Sequence, residues 1–320
     1  MKRVVVTGAN GFIGRYLCAH LARSGWSVRA VVRPGTCGPE LRNYAIVQTI
    51  ADISSETEWS RVLLAADAVV HLAARVHVMQ KSTPQAYANY MRDNTAATAA
   101  LARAAVRHGV ANFVFLSTIK VQGELTSAAP FSEGDAPAPL DPYASSKLSA
   151  EHGLSEICAG TPMAVTTLRP PLVYGPGVKG NFLRLMKLVC RRLPLPFASV
   201  ENSRSLLYVG NLVSAIEKCL ATPNGSTKTF LLSDGHDLST PQLIAMIAAA
   251  LGVRPHLIRF PVPMLLALGK ITGKGAEVSR MVESLSIDCS HIKRQLQWNP
   301  PFTVEHGLED TARWFLDTQK

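Results

Sequence analysis

KRVVVTGANGFIGRYL, residues 2–17, decides how the rest of this chain is read. A short apolar run, Val4 to Val6, enters a turn at Thr7, and Gly8, Gly11 and Gly14 recur every third residue before a helical pattern begins. Strand, tight turn and helix in that order aim a helix N-terminus at phosphates. Gly8 permits the turn, Gly11 lets backbone amides approach a pyrophosphate, and Gly14 lets the helix pack closely on the strand. Asn10, Phe12 and Ile13 would line the same cofactor site. Glycine-containing loops are commonplace; the strand before and the helix after give this one weight.

Further along, short apolar runs alternate with helical segments: residues 27–33, 45–50, 67–72, 111–116 and 164–169 read as successive strands. That alternation predicts an α/β fold, a Rossmann-type doubly wound parallel sheet. The end of the second strand bears on the cofactor. An NAD site usually places an Asp or Glu there for the ribose hydroxyls, whereas an Arg accommodates a 2′-phosphate. Val32 and Arg33 stand at that point with no acid nearby, so NADP is favoured over NAD. A long alanine-rich helix is expected over 84–108. At residues 143–147, YASSK, Tyr143 and Lys147 stand at i and i+4 on one helix face. A tyrosine titrating near pH 10 is a poor base at neutral pH, and an ammonium one turn away lowers its pKa.

Composition excludes other classes. At 320 residues and 47% hydrophobic content the chain can bury a large core. Its longest later apolar stretch, residues 262–268, is far shorter than the roughly 18 residues of a membrane span, and a cytoplasmic location is expected. Cys18, Cys37, Cys158, Cys190, Cys219 and Cys289 lack metal-like spacing, as do His71, His77 and His108. The formal charge of +10 is spread in short groups without the aromatic-basic pattern of an RNA binder, and a groove for an anionic small molecule fits it.

The wide GxxGxxG spacing, Ser117-Thr118 at the end of the fifth strand, the YASSK helix start, and LRPPLVYGP at 168–176 together resemble the extended short-chain dehydrogenase/reductases, the NAD-dependent epimerase/dehydratase type acting on nucleotide sugars. The resemblance spans nearly the whole chain and is strongest in its first half. It implies that Tyr143 is the acid–base group, that Lys147 holds the nicotinamide ribose, and that Thr118 completes the triad through the reacting sugar oxygen. It places Asp52 and Ile53 at the adenine, Leu72, Ala73 and Ala74 behind the cofactor, Asn94 as a buried backbone tie, and Ser117 and Pro170 beside the nicotinamide. On the substrate side it implies Asn181 in a phosphate-facing helix and Arg204 as a diphosphate clamp heading a strand that returns to the sheet. Arg280 is a second candidate nucleotide contact, against the plainer reading of a solvated helix arginine. Lys120 would reach the substrate or solvent.

Two departures matter. Ile119-Lys120 stands where 4,6-dehydratases carry an Asp-Glu pair, which disfavours dehydration; Gln122 and Asn211 replace a usual Tyr and Asp. STIKVQGE, residues 117–124, looks most like bacterial UDP-sugar 4-keto reductases. The implied function is reduction of a 4-keto nucleotide sugar in surface-polysaccharide precursor synthesis. The alternatives are a UDP-hexose 4-epimerase and, from another class, a non-catalytic NADP-binding sensor, against which the retained Thr118, Tyr143 and Lys147 argue. Residues 1–174 and 205–232 would form the NAD(P)-binding domain, and 175–204 and 233–320 the nucleotide-sugar domain. A homodimer is expected through helices 84–108 and 143–159.

Overall fold

Runs such as VVV at 4–6 and AVV at 68–70 have no polar alternation because both of their faces are covered, the habit of strands in the middle of a parallel sheet. The computed structural model describes residues 1–76, 83–127, 129–222 and 227–319. His77 lies outside the described residues.

The chain opens with β1 (Arg3–Thr7), α1 (Phe12–Arg23), β2 (Ser27–Val32), β3 (Ile46–Thr49), α2 (Ser60–Leu63) and β4 (Ala68–His71). Then α3 (Pro84–Tyr90) passes through a π-helical turn (Met91–Ala96) into α4 (Ala97–Arg107), followed by β5 (Asn112–Leu116), α5 (Pro142–Cys158) and β6 (Ala164–Arg169). After β7 (Leu172–Tyr174) come α6 (Gly180–Cys190), β8 (Leu206–Tyr208), α7 (Val209–Ala221) and β9 (Lys228–Leu231). The remaining helices are α8 (Thr240–Ala250), α9 (Val262–Ile271), α10 (Gly275–Val282), α11 (Ser290–Leu296) and α12 (Val304–Gln319).

Seven parallel strands stand in the order β3-β2-β1-β4-β5-β6-β9. The order reverses between β1 and β4, and a crevice opens at their carboxyl ends, where open α/β sheets take their ligands. One face of the sheet is covered by α1, α7 and α11, with Val4, Val6, Leu17, Leu21 and Ile216 in one core. The other is covered by α4 and α5, with Val5, Val69, Phe113, Leu101 and Leu154. A third core, around Tyr174, Phe182, Met186, Ile244, Ile247 and Phe315, joins α6, α8 and α12 to β7 and β8.

Two expectations change. The strand after Arg204 does not return to the main sheet: β8 pairs with β7 in a separate two-stranded sheet, and β9 takes the place beside β6. Pro170-Pro171 explains this, since neither residue has an N–H to continue the ladder of β6, and the chain leaves the sheet there. The helix over 84–108 is also not uniform, because the π turn divides it. No described helix is long and apolar enough to cross a membrane.

Candidate active site

The glycine turn behaves as its spacing demands. Gly8 has φ +68°, and a Cβ there would lie 2.9 Å from the backbone nitrogen of Ala73. A Cβ on Gly14 would lie 2.3 Å from the Gly8 carbonyl, so α1 can sit this close to the turn only without one. Gly11 is the N-cap of α1 and no side chain caps that end, which leaves the first-turn amides and the positive end of the helix dipole for an anion.

From this turn a cavity of about 830 Å³ runs over the carboxyl ends of the strands to Tyr143 and Lys147. Its size is at the upper end for small-molecule sites. Every residue named above for the cofactor lines it except Asn94, which lies behind it. Sequence reasoning missed Arg75, Arg92 and Asp93, which also line it. Asp93 bridges the two arginines at 2.8 and 2.7 Å, a pairing across 18 residues with no local signal in the sequence.

The helix that carries Tyr143 and Lys147 is fixed at its start. Asp141 caps α5 by accepting from Ala144 N (2.7 Å), and Pro142 occupies the first turn, so Tyr143 and Lys147 follow on one face. Lys147 is buried; its Nζ donates to the Leu116 carbonyl (2.7 Å) and lies 4.4 Å from the Phe115 ring centre. Burial lowers its pKa to about 7, with Glu151 opposing. Tyr143 departs from expectation. Burial above all, then Asp141 and Tyr90, raises its phenol, and the pull expected from Lys147 does not prevail in this dry setting. The Thr118 oxygen accepts from Lys120 N at 3.3 Å, which leaves the hydroxyl hydrogen for a ligand.

Behind the cleft runs a directional chain of hydrogen bonds. Ala73 N donates to the Thr7 hydroxyl (3.3 Å), which faces His71 Nδ1 (2.7 Å); His71 Nε2 faces the Thr98 hydroxyl (3.0 Å), which donates to the Asn94 carbonyl (2.5 Å). Because the Thr98 hydrogen is used on Asn94, Nε2 carries the ring hydrogen and Nδ1 accepts from Thr7. Burial, then Lys147, holds His71 at a pKa of about 3, so it is a neutral structural link and not a ligand. The Asn94 side chain accepts from Arg75 N (2.7 Å) and donates to the Arg75 carbonyl (3.2 Å) and to Ser146 Oγ (2.9 Å). Ser146 donates to the Tyr143 carbonyl at 2.7 Å.

A second buried group lies under the nicotinamide end. Glu151, one turn beyond Lys147, accepts from Arg169 Nε (3.1 Å) and its terminal nitrogen (2.5 Å), and also from the Ser117 hydroxyl. Ser117 therefore lines the cleft with its hydroxyl already committed. Lys120 is likewise committed, to Glu124 (2.5 Å) and Asp141 (2.8 Å), so it neither reaches into the cleft nor waves in solvent; two carboxylates hold it better than water would. Gln122 is buried and donates to the Ser132 carbonyl. Asn211, buried in α7, bonds Asp234 (2.7 Å) and both backbone groups of Phe302, so the carboxylate missing from its own position is supplied by Asp234. Asn181 is exposed at the start of α6 and is not among the residues lining the cavity.

Arg204 and Arg280 are brought together. Each lies in the other's field, and burial, then Arg280, lowers the pKa of Arg204. Arg204 donates to the Glu283 carbonyl (2.9 Å), while Arg280 Nε is buried with no hydrogen-bond partner among the described residues. Arg280 is half-buried in α10, with its Nε shielded from solvent. Glu124, which pairs with Lys120, is within electrostatic reach of Arg204, and neither arginine is among the residues lining the cavity of Tyr143 and Lys147.

Residues 4–232 match the model of the NAD dependent epimerase/dehydratase family. The chain is 38% identical to the UDP-glucose 4-epimerase of Vibrio cholerae, an alignment covering 98% of this chain and 96% of that protein. It is 26% identical to the GDP-6-deoxy-D-mannose reductase of Pseudomonas aeruginosa, covering 96% and 95%. Among solved structures, MoeE5 in complex with UDP-glucose and NAD superposes with a TM-score of 0.79 at 26% identity, covering 99% of this chain and 100% of that one. With its glycine turn, doubly wound sheet and Thr118, Tyr143 and Lys147 on one cleft, the chain belongs to the NAD dependent epimerase/dehydratase family of enzymes.

Proposed function

We propose that this enzyme carries out hydride chemistry at carbon 4 of a hexose linked to a nucleoside diphosphate, probed most directly with UDP sugars, and that its reaction is 4-epimerisation. The observation that carries the substrate class is the pair Arg204 and Arg280. Two guanidiniums in each other's field, one with a buried nitrogen lacking a partner among the described residues, would both gain from a diphosphate beside them, with Glu283 and Glu124 offsetting part of their charge until it arrives. Epimerisation is supported by the 38% identity to a UDP-glucose 4-epimerase along nearly the whole of both chains. A second reading, reduction of a 4-keto sugar, is favoured by Arg33 on the cleft at the end of β2, where a 2′-phosphate would find a cation.

The cleft fits a nicotinamide dinucleotide: the uncapped start of α1 receives its pyrophosphate, and Leu72, Ala73 and Ala74 admit it closely. Bound there, the cofactor supplies the hydride acceptor and donor. Tyr143 exchanges a proton with the oxygen on carbon 4: as phenolate it takes the hydroxyl proton while carbon 4 loses its hydride, and as phenol it returns that proton when the hydride comes back, the half-reaction its raised pKa favours. Thr118 donates its hydroxyl to the same oxygen and fixes which oxygen faces Tyr143. Lys147, tied to the Leu116 carbonyl, orients the ribose hydroxyls and keeps water out of that end. Residues 175–204 and 233–320 receive the nucleotide sugar, and α4 and α5 pair two copies in a homodimer, checked by a solution mass of two chains at micromolar concentration.

The deciding assay incubates the protein with UDP-glucose and a trace of NAD or NADP. UDP-galactose formed without net change in reduced cofactor supports epimerisation. Stoichiometric NADPH oxidation with a UDP-4-keto-6-deoxy sugar, and no galactose epimer, replaces it with the reductase reading.

Two substitutions probe the two ends. Replacing Arg33 with Asp removes the cation and supplies a ribose acceptor, so the ratio of kcat/KM for NADP over NAD should fall; an unchanged ratio would reduce Arg33 to an exposed surface residue. Arg204→Leu should weaken UDP binding by about 1.5 to 3 kcal/mol, the scale of a lost charge-assisted hydrogen bond, while NADPH binds as before. Calorimetry separates the two. If wild-type protein takes up no UDP even at millimolar concentration, the nucleotide-sugar reading fails.

A further inference from the structure

The acidic residues of this chain avoid one region. Residues 184–200 contain Arg184, Lys187, Arg191 and Arg192, and residues 240–276 contain Arg254, Arg259, Lys270 and Lys274; neither stretch has a single Asp or Glu. The fold joins the two. Leu195 N donates to the His256 carbonyl (2.8 Å), Ile258 N to the Leu195 carbonyl (3.0 Å) and Ala198 N to the Ile258 carbonyl (3.1 Å). Phe197 and Phe260 pack in one apolar cluster with Leu265 and Leu266 of α9. The two stretches carry eight cations between them, with Glu201 and Glu277 the first acids to follow each.

On that part α9 turns apolar side chains outward. Leu265 and Gly269 form its buried side, while Met264, Leu268 and Ile271 are 53%, 48% and 81% exposed. They stand at i, i+4 and i+7, one stripe along the helix. Lys270 lies within the helix and Lys274 just beyond it, and Ile258 adds exposed apolar surface in the adjoining segment. An aliphatic stripe bordered by cations is the pattern of a helix lying in the plane of a membrane interface, where the stripe enters the acyl boundary and the cations meet phosphate.

Other occupants fit less well. Single-stranded nucleic acid rewards aromatic platforms, and this stripe is aliphatic. A second copy would set two like-charged faces against each other. We propose that α9 docks the protein on membranes rich in anionic phospholipid, with Met264, Leu268 and Ile271 entering the headgroup–acyl boundary and Arg259, Lys270 and Lys274 at the phosphates.

Vesicle sedimentation tests this with the full chain. The wild type should sediment with phosphatidylglycerol-containing vesicles, remain in the supernatant with pure phosphatidylcholine, and be released as salt rises from about 0.1 to about 0.5 M. L268E/I271E and, separately, K270E/K274E should each lower binding by about tenfold or more, with turnover on soluble substrate unchanged. Those residues are exposed and distant in sequence from the catalytic groups, so unchanged circular dichroism and cofactor binding would certify the fold. The proposal is overturned if the wild type ignores anionic vesicles, if both double variants sediment as it does, or if L268E/I271E instead converts a dimer to a monomer, which would assign the stripe to a second copy.

Discussion

Tyr143→Phe should lower turnover by about 10²-fold or more while leaving cofactor affinity unchanged. The substitution removes one hydroxyl and keeps the ring, whose edge contact with Tyr90 at 6.3 Å between centroids is indifferent to the oxygen. The bond of Lys147 to the Leu116 carbonyl and the cap at Asp141 lie elsewhere on α5 and should persist. What disappears is the group able to exchange a proton with the sugar oxygen. Because burial holds that phenol above its ordinary pKa, the wild-type protein should keep its proton donor well above neutral pH. Single-turnover kinetics with UDP-glucose, alongside titration of cofactor fluorescence, separate loss of chemistry from loss of binding. Turnover close to wild type would remove Tyr143 from the mechanism.

Glu151→Ala should be among the most destabilising single changes in the chain, at about 3 to 5 kcal/mol, the scale of breaking a buried ion pair by removing one partner. The Arg169 and Glu151 side chains are only 8% and 7% exposed, and the Ser117 hydroxyl and Lys147 depend on the same carboxylate. Urea unfolding at several pH values gives the variant a second signature. Lys147 titrates at about 7 in the fold and near 10.4 when unfolded. Between those values the unfolded chain binds the additional proton, so stability should rise with pH through that window. Glu151 is what holds the Lys147 pKa up, so in the variant the rise should begin below pH 7. An unfolding midpoint like that of the wild type, with the same pH dependence, would mean that Glu151 carries neither charge.

What could be read from the sequence was local. Six strands of the main sheet announce themselves as apolar runs closed by glycine or by small and polar residues, and the glycine turn and the Tyr143–Lys147 pair show as spacings within a few residues along the chain. The pairing of β7 with β8 was not legible, because three-residue runs carry no period and their partner lies more than thirty residues away. Lys120 was misread for the same reason: its second carboxylate, Asp141, comes from the cap of another helix. Glu151 has no signal in the sequence, since Arg169 and Ser117, which bond it in the fold, lie 18 and 34 residues away. The resemblance supplied Asn94, Arg204 and Arg280, but only the fold places the two arginines in each other's field. Tyr143 lines the cleft with its pKa moved the other way from the sequence expectation, since a sequence shows the neighbouring ammonium and not the water that burial removes.

The π turn at Met91–Ala96 makes this part of the enzyme sensitive at two adjacent positions. The wide turn holds one surplus residue. It lets consecutive side chains, Asn94 and Thr95, both grip Ser146, at 2.9 Å each, while Tyr90 just upstream still meets the ring of Tyr143. Deleting a single residue from 91–96 and relaxing the segment to an ordinary α-helix would leave α3 and α4 nearly in phase, because the wide turn spends its extra residue on one loop and not on rotation. Tyr90 would still face Tyr143, and what would be lost is the double hold on Ser146. A scan of the turn should therefore tolerate substitution of the exposed Arg92 and be most sensitive at Asn94 and Thr95.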